Sequence, residues 1–363
     1  MKRLLCILSS LDAGGAETFL MKICRALPPG EYQFDFIVSR NGGCYTQEVL
    51  ERGGRIYCIP MRTKDPLGAM RGIKTVVKEN QYNYVLKLGD TPLAALDLIA
   101  AKLGGAKKLI IRSCNALTGQ TRVRKLIDTL LRPLLNGIAD VKIAPSMLAA
   151  EFTFGKKQAQ KHVHLLHNAV DLQMYHYDSL ARTSFREEFS LEGKLIVGHV
   201  GRFSKQKNHR FLLEIFRQIK NQNHNAVLVL VGSGELEVQI RQQAVELGIE
   251  SSVIFTGVRF DIPQILSSVD VFVFPSFYEG MPNTVIEAQA TGLPCVIADT
   301  ITREANITGL VHYLSLDQSA QQWAGAAVAA VSDVRKDTKQ NFVNHGYDIE
   351  SVAQEFVSLI FFE

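Results

Sequence analysis

The sequence predicts an α/β chain built from two doubly wound parallel sheets, and three observations carry that prediction. Short β-branched or aliphatic runs alternate with amphipathic segments along the chain, the pattern of parallel strands covered by helices on both faces. The alternation restarts at "KLIVGHVGR", Lys194 to Arg202. At 363 residues the chain also exceeds the roughly 250–300 residues that one core serves.

The first expected strand, 2–9, opens with Lys2-Arg3 and an apolar run from Leu4 to Leu11. This resembles the start of a secretory signal, but the run stops at Asp12 and no small-x-small cleavage site follows, so it reads as a strand. Further strands are expected at 33–39, 55–60, 83–88, 108–112 and 141–145, with helices near 15–27, 66–79, 91–103 and 122–138. In the second half "AVLVLVG", "SVIFTG", "VDVFVFP" and "PCVIA" read as buried strands. The stretch 167–184, "HNAVDLQMYHYDSLARTS", lacks periodicity and reads as a hinge. The expected domains are 1–170 and 171–348, with a final helix in 349–363 packing back onto the first. Domains of this kind facing each other place their strand carboxyl ends at a cleft, so function is sought at the strand-to-helix turns.

Composition excludes several classes. With 47% apolar and 21% charged residues the chain folds, and a net charge of +4 gives no argument for nucleic acid. The six cysteines contain no CxxC pair, which reads as reduced cytosolic thiols rather than a disulfide frame or a zinc site. No apolar run approaches the roughly 20 residues that span a bilayer. Charge is unevenly spread: between Lys102 and Leu135 eight basic residues accompany one acid, Asp128. Within this region "RVRKLIDTLLRPLLNGI" places Leu126, Ile127, Leu130, Leu131, Leu134 and Leu135 in one helical stripe beside Arg122, Arg124, Lys125 and Arg132. Two readings stand: the stripe packs on the first sheet, or a basic amphipathic helix in 107–135 lies on an anionic membrane.

Five turns carry candidate chemistry. Gly14-Gly15 follows the first strand and starts a helix, which suits plain turn geometry or an anion at the helix N-terminus. No GxGxxG accompanies it, so the dinucleotide fingerprint is absent. Arg202 and Lys207 flank the next turn, one a planar fork and the other a mobile point charge, and together they suit a diphosphate or form a solvated basic loop. "GSGE" at 232–235 is a tight glycine turn that speaks mainly to close backbone approach, and Gly257, Val258 and Arg259 form an edge on which a flat base can rest.

The fifth turn, "PSFYEGMPNTVIEAQATGLPCV", sets Glu279 in a loop and Glu287 one turn inside the next helix, which Gly292 ends. Carboxylates that catalyse sugar hydrolysis flank the scissile bond from two sides, about 5–10 Å apart. Two on one turn are better suited to gripping hydroxyls, since a carboxylate accepts two hydrogen bonds from a vicinal diol. The competing reading for Glu287 is ordinary charge near a helix N-terminus.

"GGAE", "VGRFSKQKN", "VGSGE", "FTG" and "PSFYEGMPNTVIEAQATGLPCV", in this order, resemble the GT-B-fold retaining glycosyltransferases of family 4, with Glu279 and Glu287 as the EX7E motif. The resemblance spans nearly the whole chain, is strongest from Lys194 to Asp299, and within the family points to exopolysaccharide and capsule assembly. It implies that Arg202 and Lys207 hold the diphosphate of a nucleotide-sugar donor, expected to be UDP-linked, with Gly14 and Gly15 admitting it from the first domain. Glu287 would bind the ribose; Glu279, with Gly280, Met281, Pro282 and Asn283, would meet the transferred sugar; Gly257, Val258 and Arg259 would border the base. Glu279, Arg202 and Lys207 are thus the expected catalytic groups. No metal and no cofactor is expected, because cations and helix N-termini neutralise the leaving diphosphate. The implied acceptor is a glycan or a polyprenyl-diphosphate-linked glycan, and the implied location is the cytoplasm, at the inner face of the cell membrane.

One residue departs from the pattern. Where the family commonly has His, this chain has Cys114, and all nine histidines fall at or after His162. A neutral thiol does not replace imidazole as a base, so the front-face mechanism, in which the leaving phosphate oxygen takes the acceptor proton, is expected, with Asn115, Arg112 and Cys114 as candidates for orienting donor or acceptor. The alternatives are a nucleotide-sugar epimerase of the same fold, drawing on Asp12, Glu17 and Asp90, and a non-catalytic sugar-nucleotide-binding subunit.

Overall fold

The computed structural model describes residues 1–12, 14–89, 91–114, 122–332 and 334–362, with backbone alone for 122–125. The chain divides into two compact units, 1–169 with 346–363, and 170–345. The first holds seven parallel strands: β1 (Lys2–Ile7), β2 (Tyr32–Val38), β3 (Ile56–Cys58), β4 (Tyr84–Leu88), β5 (Lys108–Arg112), β6 (Val141–Ala144) and β7 (His164–Leu165). Their order is β3-β2-β1-β4-β5-β6-β7. The second holds six: β8 (Leu195–Val200), β9 (Ala226–Val231), β10 (Val253–Gly257), β11 (Val271–Phe274), β12 (Cys295–Ala298) and β13 (Val311–Leu314), ordered β10-β9-β8-β11-β12-β13. Each sheet therefore reverses its winding once, between β1 and β4 and between β8 and β11. At such reversals the flanking helices diverge and open a crevice beyond the strand ends.

Central strands are buried on both faces, which explains their continuous apolar runs: every residue of β9 and β12 is buried. Asp35 of β2, fully buried, accepts from Arg3 Nη1 at 2.7 Å, Tyr82 Oη at 2.7 Å and the Arg55 amide at 2.8 Å. The final helix, Ile349–Phe361, packs within the first unit, with Phe356 against Phe19 and Phe34 and Phe361 against Tyr84. Lys108 donates to its Leu359 carbonyl at 2.9 Å.

Several expectations are corrected. The stretch read as a hinge is divided: 167–169 belong to the first unit, and Ser179–Glu188 is a helix of the second. Arg182 and Arg186 on that helix both reach Asp270, at 2.6 and 2.8 Å, and Phe185 is its one buried side chain, so its inner face has no apolar period to read. Of the leucine stripe on helix Arg122–Ile138, Leu135 alone joins the core, Leu131 is half-buried, and Leu126, Ile127, Leu130 and Leu134 are exposed. The stripe does not pack on the sheet. The basic region is also smaller than its count, because Lys108 is engaged by the final helix and Arg112 is buried. The side chains of Arg122, Arg124 and Lys125 lie outside the described residues.

Candidate functional site

In the second unit, four turns converge beyond the carboxyl ends of β8, β9, β10 and β11. The turn after β8 lies against the glycine turn after β9: Phe203 N–H donates to Ser233 O at 3.0 Å and Leu236 N–H to Phe203 O at 3.1 Å. Glycine is required there because a Cβ on Gly234 would stand 2.4 Å from the Phe203 carbonyl oxygen. Gly232, at φ +132°, would bring one to 2.2 Å from the Gly201 oxygen. The close backbone approach expected of this turn is thus made to the Arg202 turn. Gly232 N–H also donates to Gly257 O at 2.9 Å, which ties in the end of β10.

Across the β8/β11 reversal, Gln206 bonds the fifth turn twice, accepting from Phe277 N–H and donating to the Tyr278 carbonyl, both at 2.9 Å. Lys207 Nζ then donates to Glu279 Oε1 at 2.8 Å, with side chains 16% and 9% exposed, and sits 4.5 Å above the Phe274 ring. Gly201 leaves room for the lysine stem, since a Cβ there would be 3.2 Å from its Cε. Arg202 is exposed and pairs with Glu235 of the glycine turn at 3.1 Å.

The helix Asn283–Ala290 begins at Pro282, and Gly292, at φ +68°, ends it as expected. Glu287 is 9% exposed, so it is no solvated helix-surface charge. Gly280, Met281 and Pro282 are buried, and Asn283 heads the helix. Two hydroxyls that sequence reasoning passed over lie here: Ser276 Oγ and Thr284 Oγ1 are buried without a hydrogen-bond partner among the described residues. Nothing in a Ser or Thr identity marks such an atom in advance. Beyond β10, Val258 is exposed, while Arg259 is held by Asp261 at 2.6 Å and by Glu188 at 3.4 Å, contacts that raise its pKa, Asp261 foremost.

Beneath Lys207 lies a pair that sequence reasoning also missed. His199 and His209 meet edge to face at 4.7 Å, and His199 Nδ1 lies 2.9 Å from the Val273 carbonyl, to which it donates. His199 Nε2 and both ring nitrogens of His209 have no partner among the described residues. Burial first, then the Lys207 charge, lowers the His209 pKa from 6.5 to about 4. Burial likewise lowers that of His199, so both rings are neutral at pH 7.

In the first unit, Gly14 is the N-cap of helix Gly15–Ala26 with an extended backbone and no side-chain cap of its own, and a Cβ on it would stand 2.3 Å from a Glu17 carboxylate oxygen. Arg112 is fully buried: its guanidinium stacks 3.6 Å from the Phe19 ring and donates to Asn168 Oδ1 at 2.6 Å. Cys114 is half-buried against the same core, its Sγ 3.7 Å from the Arg112 carbonyl. Asn115 and Asp90 lie outside the described residues.

Comparison with known proteins adds the following. The profile described as Glycosyl transferases group 1 matches residues 194–333. The putative glycosyltransferase EpsF of Bacillus subtilis is 34% identical over 362 residues, 96% of this chain and 94% of its own. The Escherichia coli UDP-Gal:alpha-D-GlcNAc-diphosphoundecaprenol alpha-1,3-galactosyltransferase is 32% identical over 142 residues, 38% of this chain and 36% of its own. Among solved structures, HepE of Anabaena in complex with UDP and glucose matches with a TM-score of 0.72 over 99% of this chain and 96% of that one, at 20% identity. That identity speaks to the fold, which is GT-B as expected.

Proposed function

The chain belongs to the group 1 glycosyl transferases and is a glycosyltransferase, and from that premise we propose that it moves a hexosyl or N-acetylhexosaminyl group from a UDP-sugar, with retention, to a glycan or polyprenyl-diphosphate-linked acceptor in cell-surface polysaccharide synthesis. The observation that carries this reading is the Lys207–Glu279 pair across the β8/β11 reversal, where a doubly wound sheet offers its ligand crevice. A UDP donor is supported by the E. coli relative, named for UDP-Gal, and by HepE, which was solved with UDP. A lipid-linked acceptor is supported by the diphosphoundecaprenol in the former's name.

In this reading Lys207, with three N–H donors, keeps Glu279 and reaches a diphosphate oxygen as well. Arg202 leaves Glu235 at little cost, since an exposed ion pair is worth about 0–1 kcal/mol. Glu287 takes the ribose, Glu279 with the buried Gly280, Met281 and Pro282 and the half-buried Asn283 takes the sugar, and Gly257 to Arg259 border the base. The acceptor oxygen forms its bond to the anomeric carbon on the face from which the diphosphate departs. The acceptor proton passes to the departing phosphate oxygen, and Lys207 and Arg202 stabilise the negative charge left on the diphosphate. No step needs a base from Cys114, and the two cations supply the neutralisation that a metal would otherwise give. The exposed leucines of helix Arg122–Ile138 support peripheral contact with an anionic membrane.

Incubation of the full chain with UDP-sugars and EDTA tests the reading. Transfer or slow UDP release in the presence of the chelator is expected. A changed sugar on an intact diphosphate would establish the epimerase instead, and binding without turnover the non-catalytic subunit.

A further inference from the structure

The first sheet has its own crevice, and the functional reading has not used it. Beyond the carboxyl ends of β3, β2, β1 and β4 lies a pocket of about 530 Å³. Its described lining holds three cations, Arg40, Arg62 and Lys87, and one carboxylate, Asp97. Asp97 is 2% exposed. Its Oδ2 pairs with Arg62 Nη2 and, at 3.2 Å, with Lys87 Nζ. Two atoms of this cluster are unsatisfied: Asp97 Oδ1 and Arg62 Nε are buried without a hydrogen-bond partner among the described residues.

A structural ion cluster would balance its charge and its hydrogen bonds, and among the described residues this one balances neither. The described lining carries two positive charges more than negative ones, one donor that wants an acceptor, and one acceptor that wants a donor. A ligand that completes it has anionic oxygens for Arg62 Nε, Lys87 and Arg40, and next to them a hydroxyl that donates to Asp97 Oδ1. A phosphate bears about −1.5 to −2 charges near neutral pH, which matches the excess, and a sugar attached to it supplies the hydroxyl. A bare phosphate can donate to Asp97 Oδ1 only by turning its P–OH, and with it its own negative charge, toward the carboxylate, whereas a sugar hydroxyl donates without that repulsion; a neutral sugar leaves the cations unsatisfied.

We propose that this pocket binds a glycosyl phosphate, the phosphorylated end of the acceptor. Its assignment to the acceptor rests on the transferase reading above; the pocket's preference for a sugar phosphate does not. Arg40 is exposed at the rim and closes on the phosphate, whereas Arg62 and Lys87 are held in place by Asp97.

The test is calorimetric titration of the full chain, with UDP saturating, by glucose 1-phosphate, inorganic phosphate and glucose in turn. Glucose 1-phosphate is expected to bind at least about tenfold more tightly than either part. Arg40→Ala, an exposed change that leaves the fold intact, is expected to weaken glucose 1-phosphate by about tenfold, the worth of one charge-assisted hydrogen bond, and to leave UDP affinity unchanged. Asp97→Asn is expected to raise the affinity for inorganic phosphate while removing the preference for glucose 1-phosphate over it, whereas a purely structural role for Asp97 predicts no gain in phosphate binding. Equal affinity of wild type and Arg40→Ala for glucose 1-phosphate, or no gain of phosphate binding in Asp97→Asn, overturns the proposal. Failure of UDP to bind the wild type would overturn the donor reading alone. A prenyl-diphosphate-linked glucose that displaces glucose 1-phosphate identifies a lipid-linked source, and one that does not identifies a soluble sugar phosphate; both uphold the pocket.

Discussion

Lys207 owes its position to groups on three sides: the Glu279 carboxylate, the Phe274 ring and the space that Gly201 leaves for its stem. The neutral His199–His209 pair underneath matters as much, because a charged imidazole there would oppose the lysine. This has a consequence for stability. The folded-state pKa of His209 is about 4 against 6.5 for a free imidazole, so between these values the unfolded chain binds more protons. The stability this group allows is therefore full above pH 6.5, and its contribution is lost as pH drops toward 4, by roughly 3 kcal/mol at 1.36 kcal/mol per unit. Urea unfolding at pH 7.5 and pH 4.5 should show this loss, and His209→Phe should reduce it; an equal loss in the variant would remove His209 as its cause.

At the scale of elements, the turns explain themselves better than the helices do. "VGSGE" was legible as a place of close backbone approach, and the structure names what approaches it, the backbone of Gly201 and Phe203. Gly234→Ala should accordingly cost about 1–3 kcal/mol through overpacking. Gly325→Ala, in helix Ala320–Ala330 with open space at its Cβ, should stabilise by up to about 1 kcal/mol. Chemical denaturation of both variants checks the contrast. Long parallel strands were equally legible, since burial on both faces leaves unbroken apolar runs. Helix Ser179–Glu188 was not, because its inner face meets Asp270 through arginines. Nor was the His199–His209 contact, which joins a strand to the helix that follows it and leaves no spacing to recognise. The leucines of helix Arg122–Ile138 were legible as a stripe but not as an exposed one. Full-length protein is expected to co-sediment with vesicles of anionic lipid more than with neutral vesicles at low salt, and Leu130→Asp to abolish the difference; equal recovery on both vesicle types would dispose of membrane docking.

For the whole molecule, the two sheets share a plan but differ in the chemistry at their reversals. The β8/β11 reversal sets a lysine against a glutamate, and the helix that follows carries a buried second glutamate, whereas the described lining of the first sheet's crevice gathers three cations around Asp97. The chain returns to the first unit through Ile349–Phe361, whose aromatic contacts with Phe19, Phe34 and Tyr84 make the C-terminus part of that core. In the proposed reaction Glu287 of the second unit grips the nucleotide and Glu279 the sugar. Calorimetric titration with UDP, paired with transfer rates from a UDP-sugar, tests it most directly. Glu287→Ala should weaken UDP by about 10–100-fold, the worth of a charge-assisted hydrogen bond. Glu279→Gln, which keeps a hydrogen-bonding partner for Lys207, should leave UDP affinity unchanged and lower transfer. Wild-type UDP affinity and wild-type transfer in both variants would overturn both assignments.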